Sequence, residues 1–198
     1  MLASASPRRL ALLRDAGLAP DLVLAAAVDE TPRPRELPVP LARRLAEAKA
    51  RAVAACQPGA YVVGADTVVA LGRRLLGKPA DEAEARRFLA RLSGRRHRVI
   101  TGIAVLTPDG RARVRVVTSV VGFKRLSPAE IDWYLAGGEW RGKAGAYAVQ
   151  GLAQRFVDFL AGSHSNVVGL PVFETAAVLE GLGYPVRRGR AAAIGAPA

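Results

Sequence analysis

The sequence predicts an α/β protein built on a mixed sheet, and three observations carry that expectation. Helix-patterned and strand-patterned segments alternate through the first half of the chain. A strong hairpin sits in the middle, which adds antiparallel strands to the alternating ones. The 198 residues are 51% hydrophobic, enough to build a real core and too apolar for a disordered chain.

Each element follows from local chemistry. Ser6 is a candidate helix cap, Pro7 suits the first helical position, Leu10, Leu13 and Ala16 share a face, and Gly17 stops the helix. Leu22–Ala27 reads as a strand. A second helix is expected from about Pro40 to Ala55, with Leu41, Leu45, Ala48 and Ala52 facing inward. Tyr61–Val69 is strand-like despite Gly64 and Asp66, and Arg73–Arg74 form a turn. Asp81 and Glu84 are spaced as a capping box ahead of Phe88, Leu89 and Leu92, with Gly94 ending that helix. Val99–Leu106 and Val114–Phe123 form the hairpin through Pro108-Asp109-Gly110. Ser127-Pro128-Ala129-Glu130 is a second capping box, opening a short helix to Leu135. Short strands are expected at Ala146–Val149 and Arg155–Leu160, and a last helix from about Pro171 to Leu182. One domain over 1–186, followed by a basic, flexible tail at 187–198, is the expected organisation.

Composition excludes several classes. The single cysteine, Cys56, rules out an internal disulfide and a cysteine-based zinc cluster; closing an alanine-rich helix, it reads as a small core residue. The start, MLASASPRR, lacks the apolar run of a signal peptide. The longest aliphatic run, Leu22–Val28, is far too short to span a bilayer, so a cytoplasmic chain without a membrane partner is expected. The net charge is +12, and 25 of the 29 basic residues are arginine. That balance favours a polyanionic partner, whether nucleic acid, an anionic membrane or a nucleotide polyphosphate, although arginines scattered over a surface need none. Interleaved aromatics and nucleic-acid motifs are absent, so no stable nucleic-acid partner is expected.

The chemistry gathers in a few places. Ser4-Ala5-Ser6-Pro7-Arg8-Arg9 joins a strand stub to a helix start, where free N–H groups, hydroxyls and arginines make an anion cradle. Asp66 lies inside the apolar run Val62–Val69, and burying it requires a cation or hydrogen-bond partners. It is a candidate metal ligand or water-activating base, with Thr67 beside it. Glu30 ends the second strand segment and converges with Asp66 if parallel strands carry both. Two such carboxylates with a polyphosphate would hold Mg²⁺. Lys49 on the second helix either reaches this cleft or remains solvated, and Lys78 sits in the stiff Gly77-Lys78-Pro79 turn. In Lys143–Gly151, small residues permit close backbone approach, and Gln150 offers a donor and an acceptor for a base edge. His97 and His164 lack ligand spacing and read as structural.

Taken in order, LASASPRR (Leu2–Arg9), VDE (Val28–Glu30), GADTVV (Gly64–Val69), GKP (Gly77–Pro79), LSGRRHRVITG (Leu92–Gly102), KAGAYAVQG (Lys143–Gly151) and GS-x-x-NVVGLP (Gly162–Pro171) resemble the Maf family of nucleoside triphosphate pyrophosphatases. The resemblance implies a mainly parallel sheet flanked by helices, two lobes around a central cleft, and a cytoplasmic enzyme, often dimeric. Its implied reaction cleaves the α–β phosphate bond of a nucleotide with a divalent cation (Mg²⁺, Mn²⁺ or Co²⁺). Ser4, Arg8 and Arg9 match the family's phosphate loop, and Glu30, Asp66 and Lys78 match its catalytic positions, Glu30 and Asp66 being the metal candidates. Lys49 and Lys143 join the substrate-binding set. Arg9, Thr67 and Gln150 match the subgroup that prefers dTTP and UTP; the sister subgroup acting on 7-methyl-GTP carries Gln after the strand Asp. Gly142 stands where many relatives carry Asp, and His164 where Tyr is frequent. The competing expectations are 7-methyl-GTP or another non-canonical nucleotide as substrate, and a basic nucleic-acid or septum-associated binding protein.

Overall fold

The computed structural model describes residues 1–186; the expected tail at 187–198 lies outside the described residues. Strands β1 (Leu2–Ala3), β2 (Val23–Leu24), β3 (Val62–Leu71), β4 (Arg74–Leu76), β5 (Arg96–Leu106), β6 (Ala112–Phe123) and β7 (Val157–Ala161) form one sheet in the order β2-β1-β3-β5-β6-β7, with β4 against β3. The helices are α1 (Pro7–Asp15), α2 (Pro38–Cys56), α3 (Glu82–Leu92), α4 (Pro128–Ala136), α5 (His164–Val168) and α6 (Val172–Gly181).

The mixed α/β expectation holds, but the balance of pairing differs from a mainly parallel sheet. Only β1–β2 and β1–β3 are parallel. The β3–β4, β3–β5, β5–β6 and β6–β7 pairs are antiparallel. The reason is connection length: the tight turns at Gly72–Arg73 and Asp109–Gly110 can only reverse the chain, whereas parallel neighbours need a crossover. The strand expected at Leu22–Ala27 shrinks to two residues because β1, its partner, offers only two. Ala146–Val149 is not a strand: a 3₁₀ turn at Ala144–Ala146 leads into irregular chain, with Gly145 and even Ala146 at positive φ. A second 3₁₀ turn, Leu152–Phe156, takes the start of the other expected strand. Ser163, accepting a hydrogen bond from Asn166 N, caps the start of α5. Cys56 is exposed at the end of α2 rather than buried, since the inward stripe of that helix ends at Val53.

Strand alternation distributes the core. Val62, Val68 and Ala70 face α2, whose Leu41, Ala42, Leu45, Ala46 and Ala50 pack against them. Gly64 and Gly102 share that face, and a Cβ at either would lie 2.4 Å from Ala46 O or 2.2 Å from Ala42 O. The helix backbone therefore rests directly on the sheet. On the opposite face, Val63, Ala65, Ile103 and Val105 pack with α1 and α6. Further along β3 and β5, Val69 and Val99, with Val121 of β6, pack with α3 and α4. Between these two apolar clusters lie Thr67 and Thr101, cross-strand partners in register. At that polar break Thr67 lines the expected cleft, and Thr101 lies fully buried behind it. The capping box at Ser127 forms in full, which explains the sharp start of α4. At α3, Asp81 caps Glu84 N, but the Glu84 carboxylate turns to Ala80 N instead. Ser6 makes no side-chain cap; its N–H donates to Ser4 Oγ.

Candidate active site

The cleft opens because β3 has an unpaired stretch along one edge. On that side β1 pairs with Val63 and Gly64, and β4 pairs with Val69 to Leu71. Between them, Asp66 and Thr67 border a cavity of about 340 Å³, the size range of small-ligand sites. Asp66 and Thr67 point to opposite faces of the sheet yet both reach this gap.

All ten residues singled out from the sequence line it: Ser4, Arg8, Arg9, Glu30, Lys49, Asp66, Thr67, Lys78, Lys143 and Gln150. On the α2 side, Lys49 is buried beside Ala50, whose backbone and Cβ approach Gly64 closely. Its ammonium lies 2.6 Å from Asp66 Oδ1 and 2.6 Å from Glu30 Oε1. The expected convergence of the two carboxylates is present, with a lysine between them. Lys78, largely exposed, approaches the far oxygen of Glu30 at 3.7 Å. Burial pushes the Glu30 carboxyl up, but Lys49, Lys78 and Arg9 outweigh it and hold Glu30 below the ordinary range. The loop carrying Glu30 is tied to α2 by Arg44, which donates to Thr31 O and to both oxygens of Glu36. Sequence reasoning passed over Arg44.

Across the cleft, Arg9 is buried at the start of α1. Its Nε donates to Gly169 O at 2.8 Å, Nη1 to Ser4 Oγ at 3.1 Å and Nη2 to Thr67 Oγ1 at 3.1 Å. A guanidinium has five N–H bonds, so one on each Nη remains for a ligand. Burial lowers its pKa, Asp66 and Glu30 raise it and Arg8 lowers it, yet arginine stays cationic throughout. Half-buried Arg8 is likewise lowered by burial. Lys143 is lowered by burial and by the like charge of Arg8. These cations line one cavity, where a polyphosphate would relieve their repulsion.

The third wall is the 143–150 segment. Gly145 N donates to Gly77 O, linking it to the Lys78 turn. Tyr134 Oη accepts from Ala148 N, and Tyr147 Oη shares a hydrogen bond of 2.8 Å with buried His97 Nε2. Gln150 stands exposed at the rim, with no hydrogen bond from its amide among the described residues. His97 and Tyr147 carried no chemical signal in the sequence, because their pairing spans fifty positions.

Two carboxylates suit a hard divalent cation. Asp66 Oδ2 has no hydrogen bond among the described residues, so it is available to a metal or a water. No cluster of three or more His, Cys, Asp or Glu occurs among the described residues, so a cation here would complete its shell with phosphate oxygens and waters, as Mg²⁺ does. The residues present fit such an ion. No helix among the described residues is long and apolar enough to cross a membrane.

A family model described as Maf-like protein matches residues 1–182. The dTTP/UTP pyrophosphatase of Paramagnetospirillum magneticum is 62% identical over 184 residues, covering 93% of this chain and 97% of that protein. The dTTP/UTP pyrophosphatase of Rhodospirillum rubrum is 61% identical, covering 93% and 88% respectively. A solved nucleoside-triphosphatase / dITP/XTP pyrophosphatase from Mycobacterium abscessus aligns with 99% of this chain and 96% of that one, at 19% identity and a TM-score of 0.45. With a family model spanning nearly all the described residues and relatives above 60% identity along almost their whole length, the chain belongs to the family of Maf-like proteins.

Proposed function

We propose that this chain is a nucleoside triphosphate pyrophosphatase that hydrolyses dTTP and UTP to the monophosphate and pyrophosphate. The observation that carries the reading is one cavity with opposed chemistry: Asp66, Lys49 and Glu30 on one wall, and Arg8, Arg9, Lys78 and Lys143 facing the same space. The relatives named above supply the choice of nucleotide.

The residues divide the work as follows. Arg9 presents two N–H bonds as a fork to phosphate oxygens, and Arg8, Lys78 and Lys143 neutralise charge as it builds on the leaving pyrophosphate. Lys49 holds Asp66 Oδ1, which leaves Oδ2 to accept a proton from the attacking water. The water oxygen bonds to the α-phosphorus, the bond from that phosphorus to the α–β bridging oxygen breaks, and its electron pair leaves with pyrophosphate while the nucleoside monophosphate remains. Gln150 reads the base edge from the rim. A divalent cation held by Glu30 and Asp66 would add charge neutralisation at the phosphates.

The test is turnover of Asp66→Asn on dTTP. The amide cannot accept the water proton, so pyrophosphate release should fall by about 10²-fold or more. Near-normal release would remove Asp66 from the role given to it.

A further inference from the structure

We propose that Thr101, a residue outside the cavity, is a positioning residue for Arg9 and acts on it through Thr67. The proposal rests on the functional reading above in taking Arg9 as a phosphate-binding group.

Arg9 is a buried cation that makes no ion pair among the described residues: its neighbours within hydrogen-bond reach there are Ser4 Oγ, Thr67 Oγ1 and Gly169 O, all neutral. Its orientation therefore depends on where those oxygens point their lone pairs. Thr67 Oγ1 accepts from Arg9 Nη2, so its single proton must go elsewhere. It has two acceptors, Thr101 Oγ1 at 2.9 Å and Gly169 O at 3.2 Å. Gly169 O already takes the Arg9 Nε proton at 2.8 Å. Thr101 Oγ1, fully buried, can donate its own proton to Asn166 O at 3.2 Å. One consistent ordering then runs from Arg9 Nη2–H to Thr67 Oγ1–H, to Thr101 Oγ1–H, to the Asn166 carbonyl.

The end of that chain is itself fixed. Asn166 is completely buried, and its Nδ2 donates to Val99 O at 3.1 Å and to Ser119 Oγ at 2.9 Å. Ser119 Oγ in turn donates to Ser163 O and accepts from Ser163 N. The 163–169 segment is thus bolted to β5 and β6, and it delivers the Gly169 carbonyl to Arg9. At φ +140, Gly169 adopts a backbone conformation that side-chain-bearing residues rarely take. On this geometry the hydroxyl of Thr67 is spent on Arg9 and Thr101, and it shapes substrate choice by aiming the guanidinium rather than by touching a base.

The experiment compares wild type, Thr101→Val, Thr101→Ser, Thr67→Val and Thr67→Val/Thr101→Val. Readouts are kcat and KM for dTTP, the Kd of inorganic pyrophosphate by calorimetry, and the thermal melt. Thr101→Val keeps the shape and deletes the relay, so kcat/KM should fall roughly tenfold and the pyrophosphate Kd should rise in step. Thr101→Ser should restore both to within about twofold. In the Thr67→Val background the Thr101 change should cost nothing further in either readout, because the link to Arg9 is already cut. A merely structural residue would lower the melting temperature and leave the pyrophosphate Kd of the folded protein unmoved. Unchanged kinetics and Kd in Thr101→Val, or losses that multiply in the double variant, would overturn the proposal. Thr101→Ala carries the same comparison if the valine variant does not fold. A wild-type protein that neither binds pyrophosphate nor releases it from dTTP overturns the functional reading and this proposal together; an active wild type with an indistinguishable Thr101→Val overturns the proposal alone.

Discussion

Acidification should weaken the fold through one buried imidazole. His97 is 2% exposed, sits edge-on to Phe123 and Tyr147, and shares its Nε2 with the Tyr147 hydroxyl. Burial pushes its pKa from 6.5 down to about 4, against a smaller opposing pull from the backbone of Arg95. The folded value is the lower one, so as pH falls below about 6.5 the unfolded chain takes up a proton that the folded chain refuses. The contribution is fully present above that pH and is lost progressively toward pH 4, where it levels off. The whole shift corresponds to about 3 kcal/mol, of which about 2 kcal/mol is lost by pH 5. Urea unfolding of wild type and His97→Gln from about pH 7.5 to 5 isolates it, since glutamine retains an amide for Tyr147 but does not titrate. The Met1 amine, also lowered by burial, is common to the two proteins and cancels between them. Glu36 and Glu130, held at about 2 by hydrogen bonds from Arg44 and from Lys124, add their own losses only below about pH 5. Wild type should lose about 2 kcal/mol more than the variant over this range. Parallel pH profiles would refute the reasoning.

Two further paired comparisons probe how α2 carries the site. Gly102→Ala places a Cβ 2.2 Å from the Ala42 carbonyl, so the helix must lift; chemical denaturation should show a loss of about 3 kcal/mol, the upper end of overpacking costs. Gly181→Ala, with open space around its Cβ, should be neutral or slightly stabilising, and equal losses in both would contradict direct backbone contact at Gly102. Lys49→Met leaves Asp66 buried without its cation and should cost about 3 kcal/mol, whereas Lys78→Met, at a largely exposed and longer pair, should cost under about 1 kcal/mol. Both should lower turnover, and similar stability losses would show that Lys49 is not the buried partner of Asp66.

Much of this site was legible because its parts are local. Ser4 to Arg9 lie at one helix start, Asp66 is an acid in an apolar strand, and Gln150 follows a run of small residues. What the sequence alone could not supply was their spatial relation. Inward positions assigned to Ala48 and Ala52 left Lys49 undecided; the observed stripe runs through Leu45, Ala46, Lys49, Ala50 and Val53, rotated toward Gly64. That rotation follows from two glycines on different strands, and no periodicity within one helix reports it. The Thr67–Thr101 pair and the Asn166 anchor likewise depend on register between β3 and β5. The weight given to parallel strands failed for a related reason: alternating patterns predict crossovers, but here the central strand β3 turns straight back through Gly72 into β4 and pairs β5 antiparallel.

The most direct test of the account is a product panel by phosphorus NMR on dTTP, UTP, dGTP, ATP and 7-methyl-GTP with a divalent cation present. The cleft described here should convert dTTP and UTP to monophosphate and pyrophosphate, with the purine nucleotides turned over much more slowly. Release of inorganic phosphate with a diphosphate product, or preference for 7-methyl-GTP, would contradict it.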